Sequence, residues 1–262
     1  MPQQAITWSV FTKPWTMPLP ELGHFVHGLG FDGVELPVRP GFQVEPAQVA
    51  RDLPRAVRHL AASDVRITSV ATIPSEAAIA TCGELQIPII RVMAPIQDEG
   101  YLASEARMQR DYKALLPLLE AHNVKLGVQN HYGRYVCDAM GLRHLIEGFD
   151  PRYVGAVLDA AHTGLQGEEP ELALDIVWSH LCMVNLKNAY WRRETGPEAE
   201  DVVWHPYFTS GRQGLASWPR VANELRRRDY AGVICLTAEY SDEPAVKRLI
   251  AEDIAFARSL FA

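Results

Sequence analysis

Strand-like and helix-like segments alternate from one end of this chain to the other, and that alternation limits the possible folds more than any other feature. Short runs rich in apolar and β-branched residues fall at 6–11, 33–38, 66–72, 89–94, 125–130, 154–159, 181–187 and 232–239. Segments with helical spacing lie between and after them, at 20–29, 46–62, 75–85, 104–122, 139–148, 170–179, 217–228 and 243–260. In the second of these, Val49, Leu53, Val57 and Leu60 form one stripe. Ser217 stands where it can cap the seventh, and Pro219 sits in its first turn. Eight strand–helix units in 262 residues predict a single (β/α)8 barrel, one domain over residues 1–262. The rival, an open doubly wound sheet, carries a glycine-rich phosphate turn after its first strand. Here that turn reads FTKPWTMPLP and has no glycine.

Alternation within the strands then points to a site. Successive side chains on a strand face opposite ways. On the last four strands, Val128, Leu158, Val184, Leu186, Leu236 and Ala238 share one face, toward covering helices. Gln129, Asp159, Asn185 and Glu239 take the other, into the lumen, and all four stand near strand ends. Carboxylate and amide oxygens gathered at one end of successive strands suit a hard divalent cation. The plainer alternatives are a salt bridge from the acids to Lys187, and neutral bridging amides at Gln129 and Asn185.

Other residues fall around this set. His162, three positions past Asp159, is a candidate for hydroxyl binding or acid–base work, and His131 shares the parity of Gln129. Lys187 shares the parity of Asn185 at the rim, where it can bind a substrate oxyanion or neutralise the carboxylates. Glu35 has lumen parity on the second strand; it either reaches substrate or pairs with Arg91 on the fourth. The pair is favoured, because either charge buried alone is costly. The connection 188–216 is too long for a turn and reads as a lid. It offers Arg192 or Arg193, and His205, as substrate contacts. Trp8, Trp15 and Trp191 read as core residues or as a wall for a sugar ring.

Composition narrows the class. An apolar content of 48% supports a large core, and a net charge of −7 argues against nucleic acid as a partner. The four cysteines are far apart, with no CxxC pair, so neither a disulfide framework nor a structural zinc site is expected. The opening MPQQAITWSV lacks the basic and apolar regions of a signal peptide. No apolar run reaches the ~18 residues of a membrane span. A cytoplasmic location is the expectation.

Five stretches add a further reading: GFDGVEL (30–36), QNHYG (129–133), VLDAAH (157–162), VNLKN (184–188) and YAGVICLTAEY (230–240). In order and spacing they resemble the xylose isomerase-like TIM barrels, the sugar isomerase/epimerase superfamily, over nearly the whole chain. The resemblance implies a divalent ion (Mn²⁺, Mg²⁺ or Co²⁺) held by Glu, Asp, His and Glu from the ends of strands five to eight. Carried over position by position, these are Gln129, Asp159, Asn185 and Glu239, so two of the four depart from the pattern. An amide oxygen is a weaker donor than a carboxylate, and Gln129 cannot accept a proton at neutral pH. Epimerisation that relies on both glutamates is thereby placed in doubt. One-base chemistry through Glu239 or His162 is left: isomerisation through an enediol, or dehydration of a keto-sugar acid. The implied partner is a small carbohydrate, and pairing into a homodimer follows by analogy. A non-catalytic sugar-binding barrel with a degraded metal site is the alternative. Abasic-site endonucleases share the barrel, but they use three zinc ions and a density of ligands that strands two to four lack here.

Overall fold

The computed structural model describes residues 6–262. Residues 1–5, half of the opening stretch read above, lie outside the described residues. Seven parallel strands run side by side in chain order: β1 (Thr7–Phe11), β2 (Gly33–Pro37), β3 (Arg66–Ala71), β4 (Ile89–Met93), β5 (Lys125–Gln129), β6 (Val154–Asp159) and β7 (Leu181–Leu186). The chain then leaves for a hairpin, β8 (Asn188–Arg193) and β9 (Trp204–Thr209), and returns as β10 (Val233–Leu236). β10 pairs with both β7 and β1 and closes the barrel.

The covering helices are α1 (Leu19–Gly28), α2 (Val49–Ala61), α3 (Glu76–Glu84), α4 (Tyr101–His122), α5 (Ala139–Ile146), α6 (Ala160–Leu165), α7 (Pro170–Val177), α8 (Trp218–Arg227) and α9 (Val246–Ser259). Their apolar stripes decide how they lie. α2 buries Val49, Leu53, Ala56 and Leu60 against the strands. Caps fix where several begin: the Ser75 hydroxyl accepts from the Ala78 N–H at the start of α3, and Asp138 accepts from Gly141 at the start of α5. A separate inner layer of Phe11, Ala71, Ile89, Val157, Met183 and Cys235 fills the lumen. The barrel is therefore packed below, and polar lumen residues collect at its C-terminal mouth.

The structure departs from the sequence expectation in three places. First, α6 follows β6 with no loop. Asp159 ends the strand and also caps the helix: its Oδ1 accepts from Ala161 N–H (3.0 Å) and His162 N–H (3.3 Å). Second, the long connection holds a two-stranded antiparallel hairpin whose base is stapled by Asn188. The Asn188 amide donates to the carbonyls of Gly211 (2.8 Å) and Ala216 (2.9 Å), and its Oδ1 accepts from Ala189 and Ala216 N–H. Gly214 packs so closely on this side chain that a Cβ has no room. Third, β10 stops at Leu236 instead of 239. Ala238 adopts φ +50°, a left-handed turn uncommon for a residue with a side chain, just before Glu239. Among the described residues, no helix is long and apolar enough to cross a membrane.

Candidate active site

A chain of hydrogen bonds crosses the barrel mouth from β2 to β6. Ser69 donates to Glu35 Oε1 (3.1 Å), and Arg91 Nε donates to the same oxygen at 2.7 Å. The Arg91 guanidinium also donates to Gln129 Oε1, and Gln129 Nε2 donates to Asp159 Oδ2 at 2.8 Å. The Asp159 N–H is itself held by Asn130 Oδ1 (2.8 Å). Glu35 and Arg91 are thus a buried ion pair, the favoured alternative from parity. Burial would weaken the Arg91 charge, but Glu35 outweighs that and raises its affinity for the proton.

Across the mouth, Glu239 lies between two ammonium groups. Lys187 Nζ is 2.8 Å from one carboxylate oxygen and Lys13 Nζ is 2.5 Å from the other. Burial pushes the Glu239 carboxyl up; the charges of Lys187 and Lys13 outweigh it and hold the carboxyl down to about 2. Lys187 also rests 4.1 Å from the centre of the Phe208 ring on β9, so the hairpin reaches the site through an aromatic face. Asp159 is fully buried, and loss of solvent raises its carboxyl to about 6 despite the nearby Lys187. Burial lowers His162 well below the usual imidazole range, with the charge of Lys187 adding to the effect, so the ring is neutral. His131 is lowered by burial too, and its ring centre is 4.2 Å from that of His162.

These groups enclose a cavity of about 100 Å³. Its lining includes Gln129, His131, His162, Asn185, Lys187 and Glu239, with Phe11, Lys13, Arg39 and Arg91 opposite. Two of the buried lining residues have unsatisfied polar atoms, as does Glu35 at its Oε2. Both nitrogens of His162 and both amide atoms of Asn185 lack hydrogen-bond partners, although His162 Nε2 is 3.6 Å from Asp159 Oδ2. Unpartnered buried polar groups are rare, and in a substrate cavity they are the atoms a polyol can satisfy.

Most of the residues singled out from the sequence meet here. Arg192 and His205 do not. They face each other across the outer part of the hairpin, exposed, and Arg192 is paired with Glu194 at 2.9 Å. Trp8 packs on Phe261 and Trp15 on Phe25, as core residues. Trp191 reaches back to the Leu165 carbonyl (3.0 Å). Sequence reasoning missed Lys13, Arg39 and Phe208. Lys13 was within reach of the same parity rule, two residues beyond lumen-facing Phe11. Arg39 and Phe208 sit on a loop and a hairpin, where barrel parity says nothing.

Comparison with known proteins fits this geometry. The family model described as the xylose isomerase-like TIM barrel matches residues 24–260. The chain belongs to the xylose isomerase-like TIM barrel family. A D-psicose 3-epimerase from Clostridium cellulolyticum H10, solved with D-tagatose, superposes with a TM-score of 0.74 at 14% identity, covering 97% of this chain and 99% of that one. A 3-keto-D-glucoside 4-epimerase from E. coli superposes with a TM-score of 0.73 at 12% identity, with the same coverage. An inosose dehydratase from Bacillus velezensis is 27% identical over 130 residues, 48% of this chain. That match spans 43% of the dehydratase, less than half its length.

Members of this xylose isomerase-like family are sugar-modifying enzymes and commonly use divalent metals. The donor set of this chain does not fit such an ion. All four expected ligands do gather at the mouth, but the oxygens of three of them, Gln129, Asp159 and Glu239, are otherwise engaged. Gln129 turns its carbonyl to Arg91 and its amide to Asp159; both Glu239 oxygens face lysines. Among the described residues, no three of His, Cys, Asp and Glu are grouped to hold a metal. The atoms left free are the neutral ones of Asn185 and His162 and a single oxygen of Glu35, a carboxylate already neutralised by Arg91 through its other oxygen.

Proposed function

We propose that this protein is an enzyme that moves a proton beside the carbonyl of a small polyhydroxylated substrate, as an isomerase or epimerase, with dehydration the neighbouring outcome. The observation that carries this reading is the pairing of opposite capacities around one cavity. Lys187 supplies positive charge to a carbonyl oxygen, and neutral His162 has free ring nitrogens. In the reaction, His162 accepts the proton from the carbon next to the carbonyl. The C–H electron pair becomes the new C=C bond, and the charge developing on oxygen is held by Lys187. Returning that proton to the neighbouring carbon, as the adjacent hydroxyl proton passes to the former carbonyl oxygen, completes isomerisation; a proton supplied by solvent to the opposite face completes epimerisation. Loss of a hydroxyl one carbon further on gives dehydration. Glu239 has both oxygens bonded to ammonium groups, so neither is free to take the proton, and it serves to orient Lys187.

The same cavity favours an acidic substrate. Its lining carries four cationic side chains, Lys13, Arg39, Arg91 and Lys187, and a single carboxylate, Glu239. Arg39 lies 5.7 Å over the Phe11 ring and makes no ion pair among the described residues. A sugar acid gives that guanidinium a partner, so sugar acids should be turned over in preference to neutral ketoses and inososes.

The test is incubation with a panel of ketoses, sugar acids and inososes in D₂O, with deuterium uptake and product identity read by mass spectrometry. Uptake at the carbon beside the carbonyl is expected, lowered about 10²–10⁴-fold by His162→Asn. Sugar binding without exchange for any substrate, and unaffected by Asp159→Ala, would instead indicate a non-catalytic barrel.

Asp159 gives the reaction a pH dependence. Its carboxyl, raised to about 6, protonates as the pH falls below that value. Neutral Asp159 loses its charge beside His162, so exchange should decline on an acid limb centred near pH 6. The stability effect runs the other way. The folded state holds this proton more tightly than an ordinary Asp at 3.8 does, so the group favours the fold at low pH. That contribution is lost as the pH rises through about 6. An activity profile flat to pH 4.5 would remove Asp159 from the account.

A further inference from the structure

We infer that this barrel uses built-in cations at the position where its relatives place a divalent ion, with Lys187 as the charge beside the reacting oxygen. The inference deepens the proton-transfer reading for the same site. Four observations lead to it. Gln129 and Asn185 remove one negative charge and one strong nitrogen donor from the implied ligand set. Both oxygens of Glu239 are bonded to ammonium groups, at 2.8 and 2.5 Å. Asp159 spends Oδ1 on two helix N–H groups and Oδ2 on the Gln129 amide. Arg91 is locked to Glu35 and to Gln129 Oε1, so a second fixed cation stands behind the ligand positions.

The substitutions are consistent with one another. A glutamate at 129 would accept from Arg91 but could not donate to Asp159, leaving two carboxylates in contact. The glutamine amide joins the two without repulsion. An ion entering this space would have to displace Lys187 from Glu239 and then lie among Lys13, Arg39, Arg91 and Lys187. A lysine ammonium holds an oxyanion as a point charge and needs no ligand shell.

The experiment is titration of chelator-stripped protein with Mn²⁺, followed by electron paramagnetic resonance of the free ion, without substrate. Wild type should leave the free-ion signal undiminished at millimolar Mn²⁺. A Gln129→Glu/Asn185→His/Lys187→Met variant, which restores the ligand pattern and removes the ammonium, should take up one ion per chain. Circular dichroism would establish that the variant is folded. If it is not, the wild-type titration alone decides. Stoichiometric Mn²⁺ uptake by wild type would overturn the inference. Because no turnover is read, failure here is distinguishable from failure of the proton-transfer reading, which the D₂O panel tests.

Discussion

Lys187→Met should lower kcat/KM about 10²–10³-fold, the loss typical when a preorganised donor to a developing oxyanion is removed. The protein should stay folded. Methionine matches the length of the aliphatic stem and keeps the contact with Phe208, while Lys13 still neutralises Glu239. Glu239 would lose the more buried of the two charges holding its carboxyl at about 2, so that carboxyl should titrate at higher pH in the variant. Steady-state kinetics and carboxyl titration by NMR read the two effects separately. An unaltered kcat/KM with a shifted Glu239 would make Lys187 a structural residue only.

The second large effect is on stability. Arg91→Met should destabilise the barrel by about 3–5 kcal/mol, the usual result of removing one partner of a buried ion pair. Arg91 is 5% exposed and Glu35 not at all, so Glu35 would be left as an uncompensated carboxylate in the lumen. Gln129 would lose its donor at Oε1 and with it the orientation that serves Asp159. For a chain of this size the loss corresponds to a fall in Tm of about 10 °C. Glu35→Gln alone should cost less, because a neutral amide leaves Arg91 the Gln129 oxygen as acceptor. Thermal and urea denaturation of both variants check the order; equal stability of Arg91→Met and wild type would contradict the buried-pair account.

The barrel was legible because every strand and nearly every helix announced itself by periodicity and flanking turns. α6 was not, since AAHTGL is a single short helix that starts on the last strand residue and shows no repeat. The hairpin was read as a loop because NAYWRR and WHPYFT are separated by a polar stretch, with nothing local to bring them together. What holds them is Asn188, bonded to residues more than twenty positions away. At the mouth, strand parity found Gln129, Asp159, Asn185, Lys187 and Glu239. It also favoured the Glu35–Arg91 pair, because a buried charge requires a partner. Parity could not say where each polar atom turns. That Gln129 faces Arg91 with its oxygen, and that Glu239 is shared by two lysines, depends on neighbours from distant parts of the chain. Lys13 alone is 226 residues from its partner.

The most direct test of a proton-transfer site run by Lys187 is deuterium exchange measured in excess chelator. The best substrate of the panel would be incubated in D₂O with stripped wild-type protein, with and without added Mn²⁺, beside Lys187→Met. Equal exchange in both wild-type samples, and its collapse in the variant, is the predicted result. Exchange that appears only when Mn²⁺ is supplied, or that survives in Lys187→Met, would contradict it.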